Sequence, residues 1–194
     1  MNSRLIAALA ASTLAFTLAA CGSSSDSTES TAPETSATAA AASCPTTAPE
    51  SGGEAEWTYE GATGKVAVTG STDTTAPIID VTTPFSVTET QVHTLQAGDG
   101  PVVADSATVS VCYVGVDGRD GSVFDSSYER GTPADFPLNG VVAGFQKAIA
   151  GQTVGSTVAV AMTPADGYPE GNPAAGIEKG DTLVFAIKIL SAQG

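Results

Sequence analysis

The amino-acid sequence predicts an α+β domain, an antiparallel β-sheet covered on one face by a single short helix, set behind an export signal and an acidic linker. Three observations carry this. Short runs of alternating apolar and polar residues, bounded by Gly, Pro, Asp and Ser, recur along the chain, as half-buried antiparallel strands require. After the signal, a single segment shows the helical period. The stretch between the signal and the first strand is too polar to build a core.

The chain begins with a basic start, Met1 to Arg4, an apolar run, Leu5 to Leu18, and then Leu18-Ala19-Ala20-Cys21. The run is too short to span a bilayer comfortably and has the layout of an export signal, residues 1–21. Leu-Ala-Ala-Cys looks like a bacterial lipobox, in which Cys21 is acylated and becomes the first residue of the mature chain; the competing reading is an ordinary secretory signal with an incidental cysteine. Between Asp26 and Glu60 there are seven acids and no Lys or Arg. Such sequence cannot bury enough apolar surface to offset its ordering entropy, so residues 22–60 are expected to be a disordered tether. The rest of the chain, roughly 130 residues, suffices for one domain with one core. Cys44 and Cys112 are the remaining cysteines, an even pair in an oxidising compartment. One of them lies in the linker, which leaves their pairing open.

Within the folded part, Val66-Ala67-Val68-Thr69 and Ile78-Ile79-Asp80-Val81 are short strands, and Ser86-Val87 to Leu95 is a longer one. These place a β extension over 61–97. After the turn Ala97 to Pro101, Thr108 to Gly115 puts Val109, Val111 and Tyr113 on one face and Ser110 and Cys112 on the other. Thr157 to Met162 and Thr182 to Leu190 complete the set, with Leu183, Phe185, Ile187 and Ile189 sharing a face. Val141, Val142, Phe145, Ala148 and Ile149 form one apolar stripe at helical spacing, and Gly151 supplies a stop.

Several chemistries are excluded. A Ser-His-Asp or Cys-His enzyme needs a histidine near its nucleophile, and the sole one, His93, stands in a Thr-rich strand as a surface or sheet residue. The acids of Asp117-Gly118-Arg119-Asp120-Gly121 lack the alternating ligands and closing Glu of a calcium loop, so a hairpin turn is expected and no metal. No phosphate-binding glycine motif is present, and no cofactor is expected. A formal charge of −14 makes nucleic acid and anionic lipid poor partners.

Most aromatics gather in the second half: Tyr113, Phe124, Tyr128, Phe136, Phe145, Tyr168 and Phe185. They are either the core of a small domain or the wall of an apolar pocket with a few polar groups at its rim. The hydroxyls of Tyr113 and Tyr168, and Asp125 directly after Phe124, favour the pocket, because buried polar groups need partners.

The order and spacing of these residues resemble the FKBP-type peptidyl-prolyl cis-trans isomerases. The matching elements are Val111 to Gly115, Asp117-Gly118, Val123 to Ser127, Arg130 to Pro133, Phe136 to Leu138, Val141 to Phe145, Gly151 to Ser156, Pro164 to Tyr168 and Gly180 to Phe185, in the family's order from about Gly98 to Leu190. The resemblance implies an isomerase domain over 98–194, a five- or six-stranded antiparallel sheet wrapped round one short helix, with a pocket between them. Carried over position by position, Tyr113, Phe124, Phe136, Val141, Val142, Phe145, Tyr168, Ile177 and Phe185 line that pocket, and Phe145 takes the place of the family's usual tryptophan floor. The backbone N–H of Val142 and the Tyr168 hydroxyl become donors to substrate carbonyls. Asp125 becomes a polar wall group held by Tyr113 and Arg130, while Tyr128 and Glu129 fall to the loop surface.

The implied activity is isomerisation of X-Pro bonds in exported proteins, by a monomer anchored through lipid on Cys21 outside the cytoplasmic membrane. Its partners would be proline-containing client segments and, as ligands, macrolide inhibitors. The alternative is a non-catalytic module of the same fold that binds proline-containing or apolar segments. Departures from the family are a short Asn139-Gly140 loop, Ala134 in place of an aromatic, and an acidic Pro169 to Ala174 loop. They bear on substrate preference and inhibitor affinity. Residues 61–97 either add a strand pair to the sheet or form a client-facing arm, and Trp57 is expected in or beside the linker.

Overall fold

The computed structural model describes residues 43–49 and 54–194. The expected signal, the lipidation position Cys21 and the greater part of the expected linker lie outside the described residues. Among the described residues nine strands form two antiparallel sheets. β1 (Trp57–Glu60), β2 (Thr63–Thr69) and β3 (Ile78–Ser86) make a small sheet in sequential order. The larger sheet has the order β4-β8-β9-β5-β6, with β7 pairing a further part of β5. Its strands are β4 (Gln91–Gln96), β5 (Thr108–Asp117), β6 (Val123–Ser126), β7 (Ala134–Pro137), β8 (Thr157–Met162) and β9 (Leu183–Gln193). Two α-helices among the described residues accompany them, the one-turn α1 (Ser127–Arg130) and α2 (Ala143–Ile149).

Period-2 alternation decides what each face of the large sheet meets. Val158, Val160 and Met162 of β8, with Leu183, Phe185, Ile187 and Ile189 of β9, pack in one cluster with Phe145, Ala148 and Ile149 of α2. The alternate residues Ala159, Ala161, Val184 and Ala186 face the other way, against Val66, Val68 and Phe85 of the small sheet. β8 is therefore buried at every position. The alanines on its outer side let a second sheet approach; larger residues there would hold it off. Gly144 does the same for the helix, since a Cβ at that position would stand 2.8 Å from the Met162 side chain.

Residues 61–97 resolve into two parts. β2 and β3, together with β1 just before them, form a separate sheet over the back of the large one, while β4 joins the large sheet as its edge, His93 opposite Ala159. The stretch Ser86 to Leu95, expected as one strand, breaks after Ser86 because its two halves belong to different sheets. The expected linker also ends early. Trp57 lies in β1, stacked on Tyr59 at 5.7 Å and on His93 at 5.7 Å, because its ring caps the seam between the sheets. Cys44, expected in disordered linker, is buried and joined to Cys112 of β5 by a disulfide. Tyr128, expected at the surface, is only 3% exposed and packs against that bond. Asp117 to Gly121 is the expected turn, with Arg119 as an ionic hub for Asp117, Asp120 and Asp181.

Candidate active site

Between α2 and the concave face of the large sheet opens a cavity of about 380 Å³, lined by Tyr113, Phe124, Asp125, Phe136, Gly140, Val141, Val142, Phe145, Tyr168 and Phe185. Each lining residue arrives by simple local logic. Tyr113 continues the inward face of β5 set by Val109 and Val111, and Phe185 does so on β9. Phe145 is the first inward position of α2 and forms the floor, only 5% exposed. Its ring meets Phe136 at 5.3 Å, Phe185 at 5.4 Å and Tyr113 at 5.8 Å, all edge-on, the arrangement favoured by the ring quadrupoles. Phe124 stands edge-on to Phe185 at 5.4 Å. Gly115 makes that closure sterically feasible, since a Cβ there would lie 2.6 Å from the Phe124 ring and 2.7 Å from the Phe185 ring.

One wall is polar. The Tyr113 hydroxyl donates to one Asp125 oxygen, and Arg130 donates to the other at 2.5 Å and to the Tyr113 hydroxyl oxygen at 3.3 Å. The guanidinium also lies 5.9 Å over the Tyr113 ring. Burial pushes the Asp125 carboxyl up, but the hydrogen bonds from Tyr113 and Arg130 outweigh it and hold the group below the usual carboxylate range. Burial, with the Asp125 hydrogen bond adding, raises the Tyr113 phenol. Asp125 is thus a fixed anion with its charge already matched, which fits a dipole in a wall better than a proton carrier.

The other rim carries donors. Val142 precedes α2 in extended conformation (φ −61°, ψ 147°), and its carbonyl accepts from Phe145 and Gln146 at 3.0 and 3.1 Å. Among the described residues its own N–H has no partner, and neither has the Tyr168 hydroxyl. Tyr168 follows a turn, Pro164–Asp166, that is pinned from two sides: Lys147 of α2 donates to Asp166 at 2.7 Å, and Thr90 donates to the same oxygen at 2.5 Å. The Lys147 hydrogen bond, then that of Thr90, lowers the Asp166 carboxyl.

Ten of the expected site residues meet around this cavity or its wall. Arg130 braces that wall from behind without lining it, and Ile177 departs further. Asn172 and Ile177 exchange backbone hydrogen bonds at 2.8 and 3.0 Å, and the Ile177 side chain, 2% exposed, packs in the core cluster with Phe145 and Phe185. Gly140, which lines the rim, and the Lys147–Asp166–Thr90 clamp are additions that no local pattern announces, because Thr90 and Asp166 are 76 residues apart.

A family model described as FKBP-type peptidyl-prolyl cis-trans isomerase matches residues 100–190. The probable FK506-binding protein of Corynebacterium glutamicum is 43% identical over 98 residues, which is 49% of this chain and 80% of that protein. The FK506-binding protein of Streptomyces anulatus is 36% identical over 97 residues, 48% of this chain and 78% of that protein. The FKBP-type 22 kDa peptidyl-prolyl cis-trans isomerase of Escherichia coli is 38% identical over 100 residues, and this chain spans 48% of its length.

Proposed function

This chain belongs to the FKBP-type peptidyl-prolyl cis-trans isomerase family, and we propose that it isomerises X-Pro bonds in exported proteins outside the cytoplasmic membrane, tethered by lipid on Cys21. The single observation that carries the site assignment is the aromatic cavity over Phe145, with an apolar floor, one ion-paired carboxylate in its wall and two donors at its rim that have no partner among the described residues.

The chemistry asks for little more. Rotation about an X-Pro bond crosses a barrier of about 18–20 kcal/mol because it breaks amide resonance, while cis and trans differ by roughly 0.5–1 kcal/mol. No nucleophile and no energy source are needed. The twisted amide is less polar than the planar one, so the floor of Phe145, Phe136 and Phe185 favours it over the ground state. The Val142 N–H and Tyr168 hydroxyl hold the carbonyls flanking the proline as the bond turns. Tyr113 and Arg130 keep Asp125 in one place, so the wall dipole does not reorganise during rotation.

The mature chain is expected to accelerate isomerisation of a short X-Pro peptide. If it binds the peptide without accelerating it, the enzyme reading fails and a recognition module of the same fold replaces it. Cys21→Ala is expected to move the protein from the membrane fraction to the soluble one, and retention in the membrane would remove the lipid tether from the proposal.

A further inference from the structure

Directly behind the polar wall, on the side of β5 away from α2, lies a second buried cluster formed by Cys44, Cys112 and Tyr128. Cys112 and Tyr113 are neighbours on β5 and point to opposite faces, so the disulfide sits at the back of the residue whose hydroxyl holds Asp125. From Cys44 three connections run to the same small region. Its N–H donates to the Gly131 carbonyl at 3.3 Å; Gly131, at φ 69°, closes α1 and follows Arg130 directly. Its Sγ lies 3.5 Å from the hydroxyl of Ser127, the first residue of α1. That hydroxyl is completely buried and accepts the Tyr113 N–H at 2.8 Å. Further along, the Thr46 methyl stands over Gly131, 3.3 Å from where a Cβ would lie, and the Thr47 carbonyl accepts the Ala76 N–H at 2.9 Å, tying the segment to the loop before β3.

Magnitudes show which part holds which. α1 is a single turn of four residues, far below the length at which a helix is stable by itself. The Arg130–Asp125 pair has side chains 49% and 41% exposed, and exposed pairs contribute about 0–1 kcal/mol. The ion pair is therefore too weak to fix the turn that carries it. The turn is fixed from behind, through Ser127 on β5 and Gly131 on Cys44.

Resting on the isomerase reading of the pocket, we propose that residues 44–47, pinned to β5 by the Cys44–Cys112 bond, are a positioning element for the Tyr113–Asp125–Arg130 wall, acting through Ser127 and the Gly131 carbonyl. Without the pin, the Gly131 carbonyl loses its donor and the Thr46 packing, α1 gains freedom, and Arg130 no longer holds the Asp125 carboxylate against Tyr113. A cross-link that served only as a staple would behave differently. It would act through the entropy of the unfolded chain, changing the melting temperature and nothing in the folded site.

The test compares the mature wild-type chain with the Cys44→Ala/Cys112→Ala variant at a temperature where both are folded. Two readouts are followed: kcat and KM on an X-Pro peptide, and the titration midpoint of the Asp125 carboxyl by carbon-13 NMR. The variant is expected to lose kcat on the order of tenfold, with KM changing less, because a small displacement of a fixed dipole acts on the transition state. The Asp125 midpoint is expected to rise toward the ordinary carboxylate value. A folded variant with unchanged kcat and unchanged Asp125 midpoint, differing only in melting temperature, overturns the proposal. If the double variant does not fold, Ser127→Ala with the bond intact decides by the same two readouts. Wild-type protein without isomerase activity would sink the functional reading, while the Asp125 midpoint would still decide the positioning role.

Discussion

On the helix side of the large sheet, Tyr113, Phe124 and Phe136 stand half-buried around open volume, whereas on the other side Val66, Val68 and Phe85 close over Ala159, Ala161 and Ala186 and are almost wholly buried. Both faces come from the same alternating strands. The difference lies in size: large side chains on one face hold the helix away and leave a cavity, and alanines on the other admit a second sheet. Stability should therefore be concentrated at the back and chemistry at the front. Substitutions that move one without the other would establish the division, and substitutions that move both would break it.

The largest effect is expected at the back. Phe85 is 2% exposed and fills the space between the sheets, so Phe85→Ala should cost about 3–5 kcal/mol in a denaturant titration, in line with other buried Phe truncations. Per folded molecule, kcat/KM for an X-Pro peptide should remain that of the wild type. A parallel fall in the rate at low temperature would show that the back sheet shapes the pocket as well as supporting it.

At the front the order reverses. Asp125→Ala removes the anion that Tyr113 and Arg130 orient, and should lower kcat/KM by about a hundredfold, the lower end of what losing one preorganised dipole costs. Its stability cost should stay within about 1 kcal/mol, because the ion pair is half-exposed. A large drop in the denaturation midpoint would place Asp125 with the structural acids instead. Tyr168→Phe is a smaller change. A hydroxyl with no partner among the described residues adds little to folding, so stability should be unchanged while kcat/KM falls about fivefold, roughly one hydrogen bond formed during rotation. Wild-type kinetics in this variant would remove Tyr168 from the donor set.

The same contrast explains what the sequence disclosed. Residues on the pocket face are large, few and regularly spaced, so Tyr113, Phe124, Phe145 and Phe185 were legible from alternation and from the order of motifs along 98–190. The back face is encoded by Ala159, Ala161 and Ala186, which say only that something approaches closely and not what. Trp57 and Cys44 sit in polar, acidic surroundings whose composition argues for disorder; one ring on the sheet seam and one cross-link to β5 override it. Tyr128 looked like surface because its neighbours Glu129 and Arg130 are charged and exposed, yet a one-turn helix can turn one side inward, here Ser127 and Tyr128. Ile177 was placed by the family resemblance alone, and it packs in the core cluster with Phe145 and Phe185 without lining the cavity. Contacts such as Thr90 to Asp166 have no local signal at all.

Two acids on the β5–β6 hairpin offer the finest version of the comparison, because the structure drives them in opposite directions. At the back seam, beside the Phe85 N–H bond to the Gly118 carbonyl, burial pushes the Asp117 carboxyl up to about 6, with Asp181 adding to the rise and Arg119 opposing it. In the pocket wall, Asp125 is held below its ordinary value of 3.8. A raised acid binds its proton more tightly in the folded state. The stability contributed by Asp117 is therefore full below its ordinary value of 3.8 and is lost as pH rises through about 6. A lowered acid does the reverse, so the contribution of Asp125 is present above 3.8 and is lost as pH falls through its folded value. Asp117→Asn keeps the shape and a neutral hydrogen-bonding group. Relative to wild type it should gain stability, about 2–3 kcal/mol, as pH rises from about 4 to about 7, since the rise from 3.8 to about 6 is a more than hundredfold difference in proton affinity between folded and unfolded chain and each tenfold is worth about 1.4 kcal/mol. Asp125→Asn should lose its deficit relative to wild type as pH falls below about 4, because the wild-type carboxylate then takes up the proton the amide mimics. Denaturant titrations of the three proteins across that range decide the matter. If both variants run parallel to wild type at every pH, the two carboxylates ionise alike, and the front and back of the hairpin are not electrostatically distinct.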